Sequence, residues 1–190
     1  MSEKLNAGIC WKSCQYNNPN HVNNLVDEGF KFLRIYVNLA DFPQAVPNQA
    51  YINNLMNGHD GMWAWDNFSQ RWWSANPNDK VRDSFTFCKA NNWLPIVCFG
   101  HSEEQTSWLT RSPGADKLVW LKLMATEFAE YIKTNFGFTR ADMESWNEPN
   151  ECMGASTYAN VTINLSQGWK SVYPNSWVHG FASNLKEQNY

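Results

Sequence analysis

Short apolar segments alternate with stretches of helical periodicity along the chain. Runs of β-branched, aliphatic and aromatic residues predict strands at residues 7–12, 32–38, 94–100, 142–147 and 177–181. Apolar positions at helical spacing predict helices at about residues 19–29, 81–88, 115–135 and 158–172. Between the second strand and the second helix, residues 39–78 form a long polar and aromatic excursion in which the pattern predicts no element.

The strict alternation of strand and helix predicts an α/β fold, with a parallel sheet and right-handed crossovers. This order suits either an open, doubly wound sheet or part of a (β/α)₈ barrel. A complete barrel takes about 250 residues, and five strands in 190 residues fall short of one. The chain contains no internal repeat or linker, so we predict a single domain over residues 1–190.

The composition indicates a globular protein with a sizeable core. Hydrophobic residues make up 43% of the chain, charged residues only 17%, and the formal net charge is −3. The absence of basic clusters argues against a nucleic-acid or anionic-membrane partner. No apolar run approaches the roughly 20 residues of a membrane-spanning helix. No secretory signal is visible at the N-terminus, which favours a cytoplasmic location or a virus particle over classical secretion.

The cysteines and histidines do not suggest a metal site. No Cys-x-x-Cys pair occurs among the five cysteines, and the four histidines are dispersed, so we expect no structural zinc. Cys88 and Cys98 lie inside apolar segments and are predicted to be buried free thiols. Disulfides are neither required nor excluded by this pattern.

Tryptophan and asparagine are both abundant, with 11 and 24 residues respectively. Surplus tryptophan indicates either a heavily aromatic core or exposed stacking platforms. Surplus asparagine indicates many turns, or many amides that can hydrogen-bond a hydroxyl-rich ligand. Both excesses suit a carbohydrate site, and neither establishes one.

The most informative stretch closes the fourth predicted strand and reads Glu144-Ser145-Trp146-Asn147-Glu148-Pro149-Asn150. A strand that leads into a proline-fixed loop presents the Glu148 carboxyl and the Asn147 amide together at the ligand-binding end of a parallel sheet. A carboxyl partly shielded by Trp146 is suited to donating a proton, and the amide can hydrogen-bond a sugar hydroxyl. The simpler alternative is a plain strand-to-loop turn.

The Trp-Asn-Glu-Pro-Asn segment in this position resembles the clan of retaining (β/α)₈ glycoside hydrolases that includes many cellulases, mannanases and xylosidases. The resemblance implies a partial TIM barrel, roughly strands 1 to 5 with their helices, in which Glu148 is the acid/base and Asn147 contacts the sugar. Leu33-Arg34-Ile35 matches the clan's strand-two arginine near the nucleophile, and His101 stands where a strand-three histidine is frequent. No metal or organic cofactor is implied.

The resemblance covers only the first half of the clan's barrel. The clan's nucleophile is a second glutamate at the end of strand seven, and retaining chemistry needs the two carboxyls about 5–5.5 Å apart. No such strand is predicted here, so the chain is a fragment or half of a split protein, a half-barrel completed by another copy, or a degenerate descendant without catalysis. Whether it is a glycosidase by itself is left open.

Further residues are candidates for substrate binding. Alternation along the second strand puts Arg34, Tyr36 and Asn38 on one face. Tryptophans that can stack on sugars or simply pack are Trp11, Trp63, Trp65, Trp72 and Trp146. Glu144 shares strand parity with Glu148 and is expected to pair with Arg34, as part of the site or as a purely structural buried ion pair.

Two functions follow as expectations. The first is a glycoside hydrolase-like domain that hydrolyses O-glycosidic bonds of a polysaccharide or oligosaccharide, with Glu148, Asn147 and Arg34 as catalytic residues. The second is a catalytically incomplete glycan-binding or structural assembly component, for example of a virus particle. A carbohydrate is the expected ligand in the first case, and a second half-barrel chain or a homo-oligomer is a further possible partner.

Overall fold

The computed structural model describes residues 7–10, 29–37, 47–57, 81–100, 115–146, 149 and 153–180. The strands are β1 (Ala7–Cys10), β2 (Phe30–Val37), β3 (Leu94–Phe99), β4 (Asp142–Glu144) and β5 (Val178–His179). The described helices are α1 (Gln49–Asn57), α2 (Val81–Asn91), α3 (Ala115–Phe136) and α4 (Ala155–Val172).

The five strands form one parallel sheet in the spatial order β1-β2-β3-β4-β5. Each strand therefore lies beside the one that precedes it in the chain. The prediction of an α/β fold with a parallel sheet is confirmed. The strand order also differs from that of a doubly wound sheet, in which the direction of strand addition reverses part-way.

Alternation along the strands gives the sheet two different faces. Ile35 pairs with Val97, which pairs with Met143, so these side chains project to the same side. We call this side the apolar face, and it shares one buried core with side chains from all four described helices. The strand residues of this core are Leu33, Ile35, Val37, Val97, Phe99 and Met143.

Aromatic side chains join the helices to the apolar face. The Phe99 ring meets the rings of Phe128 and Trp169 edge-on, at centroid distances of 5.5 and 5.6 Å. Trp169 also donates its indole N–H to the carbonyl of Ala141, 2.9 Å away, which ties α4 to the start of β4. Such aromatic contacts add about 0.5–1.5 kcal/mol each beyond the burial of apolar area. Part of the tryptophan surplus is thus accounted for by the core.

Among the described helices, α3 and α4 make the most extensive contact with each other, and a glycine lies within it. A Cβ atom at Gly168 would clash with the carbonyl oxygen of Lys122 and would lie 3.1 Å from the Cβ of Ala125. Thr126 bridges the same contact, since its hydroxyl lies 3.0 Å from the Lys122 carbonyl and 3.2 Å from the Gly168 carbonyl. The absence of a side chain at Gly168 therefore lets the two backbones approach closely.

The excursion predicted at residues 39–78 contains a helix that the pattern did not predict. Helix α1 buries Ile52 and Met56, which lie four residues apart, and its first turn is capped by Asn48, whose side chain accepts the backbone N–H of Tyr51 at 2.9 Å. Asparagines elsewhere in the helix hid this short apolar stripe. Strands β4 and β5 are shorter than predicted. Residues 11 and 12 of the predicted first strand and nearly all of the predicted helix at residues 19–29 lie outside the described residues.

The prediction of buried free thiols is confirmed at Cys88 and Cys98. Burial raises the pKa of the Cys88 thiol well above its ordinary value, because the low-polarity surroundings disfavour the thiolate. Since the thiolate is the reactive form, both the access and the chemistry of this cysteine are suppressed in the folded state.

We expect Cys88 to resist iodoacetamide at about pH 9, where an unfolded cysteine is largely ionised. Folding holds the thiol protonated through this range, so only the unfolded protein should react. Peptide mass mapping of native and urea-unfolded protein measures the difference. Equal labelling of Cys88 in the two states would contradict the burial.

Gly168→Ala is expected to destabilise the protein, although alanine is the better helix former by about 1 kcal/mol. The added methyl must push α3 and α4 apart, and overpacking of this kind costs about 1–3 kcal/mol. Urea denaturation measures the change. Gly180→Ala is the matched control, because a Cβ there meets nothing within 4 Å; a stabilised Gly168→Ala variant would disprove the close approach.

Candidate functional site

The face of the sheet opposite the helical core carries polar and charged side chains. Cys98 pairs with Glu144, which pairs with His179. Arg34 and Asp142 project to the same side, because each lies two residues before the position on its strand that is in register with Cys98. We call this the polar face. Buried carboxylates are rare in proteins, yet this face holds two, Asp142 and Glu144, and both belong to the three-residue strand β4.

The central feature of the polar face is a two-pronged ion pair between β2 and β4. Nη2 of Arg34 donates to Oε1 of Glu144, and Nε of Arg34 donates to Oε2. The pair spans β3, whose Cys98 has its sulfur 3.8 Å from Nη2 of Arg34. The Glu144 and Arg34 side chains are only 6% and 17% exposed, so the pair is largely desolvated. The expectation that Glu144 pairs with Arg34 is confirmed.

The segment that follows β4 is anchored from the helical side. The hydroxyl of Thr162 lies 2.8 Å from that of Ser145, which in turn lies 3.0 Å from the Tyr158 hydroxyl. Both partners are on α4, so the polar chain fixes the point at which the strand leads into residues 146–148. Pro149 is buried, and its carbonyl accepts the backbone N–H of Met153 at 2.8 Å. The described residues thus constrain the chain on both sides of Asn147 and Glu148.

Trp146 is fully buried and belongs to the hydrophobic core. Its ring packs over Gly100, where any Cβ would clash with the indole and where the backbone has a φ of +97° that favours glycine. Its indole N–H finds no acceptor among the described residues. This burial favours the packing interpretation of Trp146, and its contact with a substrate stays a prediction.

A second charged cluster surrounds Asp142 at the start of β4. Nε and Nη2 of Arg140 donate to Oδ1 and Oδ2 of Asp142, at 3.0 and 2.8 Å. The backbone N–H of Trp177 also donates to Oδ1, at 3.0 Å, and Nε2 of His179 lies 3.4 Å from Oδ2. The hydrogen bonds to Asp142 raise the pKa of the Arg140 guanidinium above its ordinary value.

Sequence reasoning missed the cluster around Asp142. The available signal was the polar pair at positions 142 and 144 of one short strand, which places both carboxylates on the same face. Glu144 was recognised by its parity with Glu148. Asp142 was not, because two of its contacts, Trp177 and His179, belong to β5 and its approach and become neighbours only through the order of the sheet.

Most of the remaining candidate residues lie outside the described residues. They are the catalytic candidates Glu148 and Asn147 and the binding candidates Trp11, Asn38, Trp63, Trp65, Trp72 and His101. Tyr36 is described through its backbone, which pairs with Cys98 in the sheet. Of the predicted site, the structure therefore describes the side chains of Arg34 and Trp146.

The described ranges contain no candidate metal site and no candidate membrane-spanning helix. There, no three histidine, cysteine, aspartate or glutamate side chains come together in a way that could hold a metal ion. None of the described helices combines the length and the apolar character that crossing a bilayer requires.

Comparisons with known proteins yield no relative of this chain. No protein-family model, no curated protein and no solved structure matches it.

We expect Arg34→Met and Glu144→Gln each to destabilise the fold by roughly 3 kcal/mol, because each leaves a desolvated charge without its partner. The double variant removes both charges and should cost clearly less than the sum of the single variants. Urea denaturation of the four proteins closes the cycle.

Glu127→Gln is the matched control for this cycle. Glu127 accepts a hydrogen bond from Gln49 at 2.6 Å in an exposed setting, where the loss should stay below about 0.5 kcal/mol. Additive effects of the Arg34 and Glu144 substitutions would contradict a coupled pair.

Proposed function

We propose that this chain forms the first strands and helices of a (β/α)₈-type glycoside hydrolase, in which Glu148 is the general acid/base. The observation that carries the proposal is the buried Arg34–Glu144 pair on the polar face. It lies at the end of β4 that leads, four residues on from Glu144, to Glu148. The expected substrate is a polysaccharide or oligosaccharide, and the reaction is hydrolysis of an O-glycosidic bond.

The topology supports the barrel part of the proposal. Right-handed crossovers that always add the next strand at the same edge put every helix on the same face of the sheet. All four described helices contribute to one core on the apolar face, and the strands follow one another in sequence order. A sheet built in this way curls with its helices outside, as in a (β/α)₈ barrel, and the opposite face becomes the interior.

The chemistry of the polar face supports the site. In parallel α/β folds, ligands bind at the carboxyl ends of the strands. Arg34 lies within β2 and Glu144 is the last residue of β4, so the ion pair fixes these two strands relative to each other next to that end. A catalytic carboxyl must be held in one position by a rigid scaffold, and the tie between β2 and β4 provides such a scaffold for the residues that follow β4.

In the proposed reaction, a second carboxylate attacks the anomeric carbon while Glu148 gives its proton to the departing glycosidic oxygen. The C–O bond to the leaving group breaks, and a glycosyl ester forms. Glu148, now ionised, takes a proton from water, which attacks the same carbon and releases the second carboxylate. Asn147 hydrogen-bonds a neighbouring hydroxyl, and Arg34 orients the second carboxylate, which this sequence does not identify.

One observation favours the second candidate function, a glycan-binding or structural assembly component without catalysis. Glu144 already occupies two donors of Arg34. An arginine engaged in this way acts as a structural tie between strands, and the scaffold can then present the residues after β4 for binding alone.

The test is hydrolysis by the full chain of aryl glycosides whose leaving groups differ in acidity, with Glu148→Gln as the variant. Removal of a general acid typically costs 10²–10⁴-fold in rate. We expect the loss to be large for 4-nitrophenyl glycosides and small for 2,4-dinitrophenyl glycosides, whose leaving group needs little protonation. Glu127→Gln on α3 is the control, because it also replaces one glutamate by glutamine but lies outside the proposed site.

The outcomes separate the two functions. Turnover that falls in Glu148→Gln with the expected leaving-group dependence supports hydrolysis. Turnover that is indifferent to the substitution excludes Glu148 as the acid/base. No turnover together with saturable glycan binding, measured by calorimetry, supports the second function and contradicts hydrolysis by this chain.

A further inference from the structure

Trp177 is the most exposed of the large apolar side chains that the structure describes. It is 67% exposed and directly precedes β5. Its position two residues before His179 puts both side chains on the same side of an extended chain, and their ring centroids are 6.4 Å apart. Three other described tryptophans are buried in the core, namely Trp93, Trp146 and Trp169. Among the described residues, no packing contact buries Trp177 in the core.

The surroundings of Trp177 are held in place by a buried carboxylate. Asp142 is 2% exposed and accepts hydrogen bonds from the Arg140 guanidinium and from the backbone N–H of Trp177. One buried group therefore fixes the main chain of Trp177 and the side chain that lies against its ring. Burying a carboxylate is costly unless its hydrogen bonds are made, so this arrangement resists distortion.

One face of the indole is already supported by a cation. The guanidinium carbon of Arg140 lies 5.3 Å from the centre of the Trp177 ring. With two-thirds of the residue accessible, much of the ring is open to a ligand. A flat, rigid, backed aromatic surface loses little conformational entropy when a second ring is laid on it.

The charge of the cluster selects the chemistry of the ligand. The negative charge of Asp142 balances the positive charge of Arg140, to which it is bonded through two nitrogens. A phosphate or carboxylate ligand would have to compete with Asp142 for this guanidinium. A neutral ligand with an apolar ring face and hydroxyl groups faces no such competition, and the half-exposed His179 ring can hydrogen-bond it.

We propose that Trp177, supported by Arg140 and flanked by His179, is a stacking platform for a pyranose ring of a neutral glycan. The glycan class rests on the proposed function, whereas the platform is a separate site. It is built from the start of β4 and the approach to β5, whereas Glu148 follows the opposite end of β4.

The test is calorimetric titration of the full chain with the neutral hexasaccharides of cellulose, mannan and xylan. Trp177→Ala is expected to raise the dissociation constant for the preferred hexasaccharide about tenfold, because one favourable ring contact is lost. Trp177→Phe should retain part of the affinity because it keeps an aromatic face. Ile163→Ala is the control, since it shortens another exposed apolar side chain, 52% accessible, on α4.

A thermal melt of each variant accompanies the titration. Trp177→Ala with an unchanged melting temperature and weakened binding supports the platform. Binding equal to that of the unsubstituted chain overturns it, as does a loss of binding that Trp177→Phe does not partly restore. No binding of any of the three hexasaccharides also overturns it.

Glu148→Gln separates this proposal from the proposed function. If the platform is a site of its own, Glu148→Gln keeps the Trp177-dependent affinity whether or not the chain hydrolyses glycosides. Trp177-dependent binding without turnover would sustain the platform and contradict hydrolysis. Turnover that depends on Glu148, with binding indifferent to Trp177, would sustain hydrolysis and remove the platform.

Discussion

The handedness of the strand-to-strand crossovers is the constraint on which this structure depends. Because each new parallel strand is added at the same edge, right-handed connections carry the helices to one side of the sheet, and the four described helices share one core there. That side takes the buried apolar residues of β2, β3 and β4, and the aromatic rings of Phe99, Phe128 and Trp169 pack it against the helices. The described helices do not pack against the other side, so the side chains there can be charged.

The charged side chains on that face are not left to solvent. Arg34 and Arg140 are each bonded through two nitrogens to a carboxylate that is almost completely buried. Buried pairs of this type contribute little net stability compared with apolar packing, since desolvation offsets most of the attraction. Retention of the Arg34–Glu144 pair is better explained by geometry, because a planar guanidinium bonded at two points fixes the separation and the relative angle of β2 and β4.

Strand β4 organises both clusters, although it is only three residues long. Its first residue, Asp142, holds Arg140 and the approach to β5, and its last residue, Glu144, holds Arg34 on β2. The residue between them, Met143, points to the helical core. The same strand therefore holds the proposed stacking platform at its amino end and leads to the proposed acid/base at its carboxyl end, so the two proposed sites are separate.

The sequence by itself determined the class of fold, the thiols that are buried and the Arg34–Glu144 pair. These depend on local periodicity and on the parity of residues within a strand, both of which can be read along the chain. Helix α1 was missed because only Ile52 and Met56 mark its buried side. The tertiary structure alone decided that Trp146 is enclosed beside Gly100, and that Arg140, Asp142, Trp177 and His179 form one cluster. Both outcomes depend on which strands become neighbours and on how closely two backbones approach, and neither quantity is encoded in the spacing of residues along a single chain.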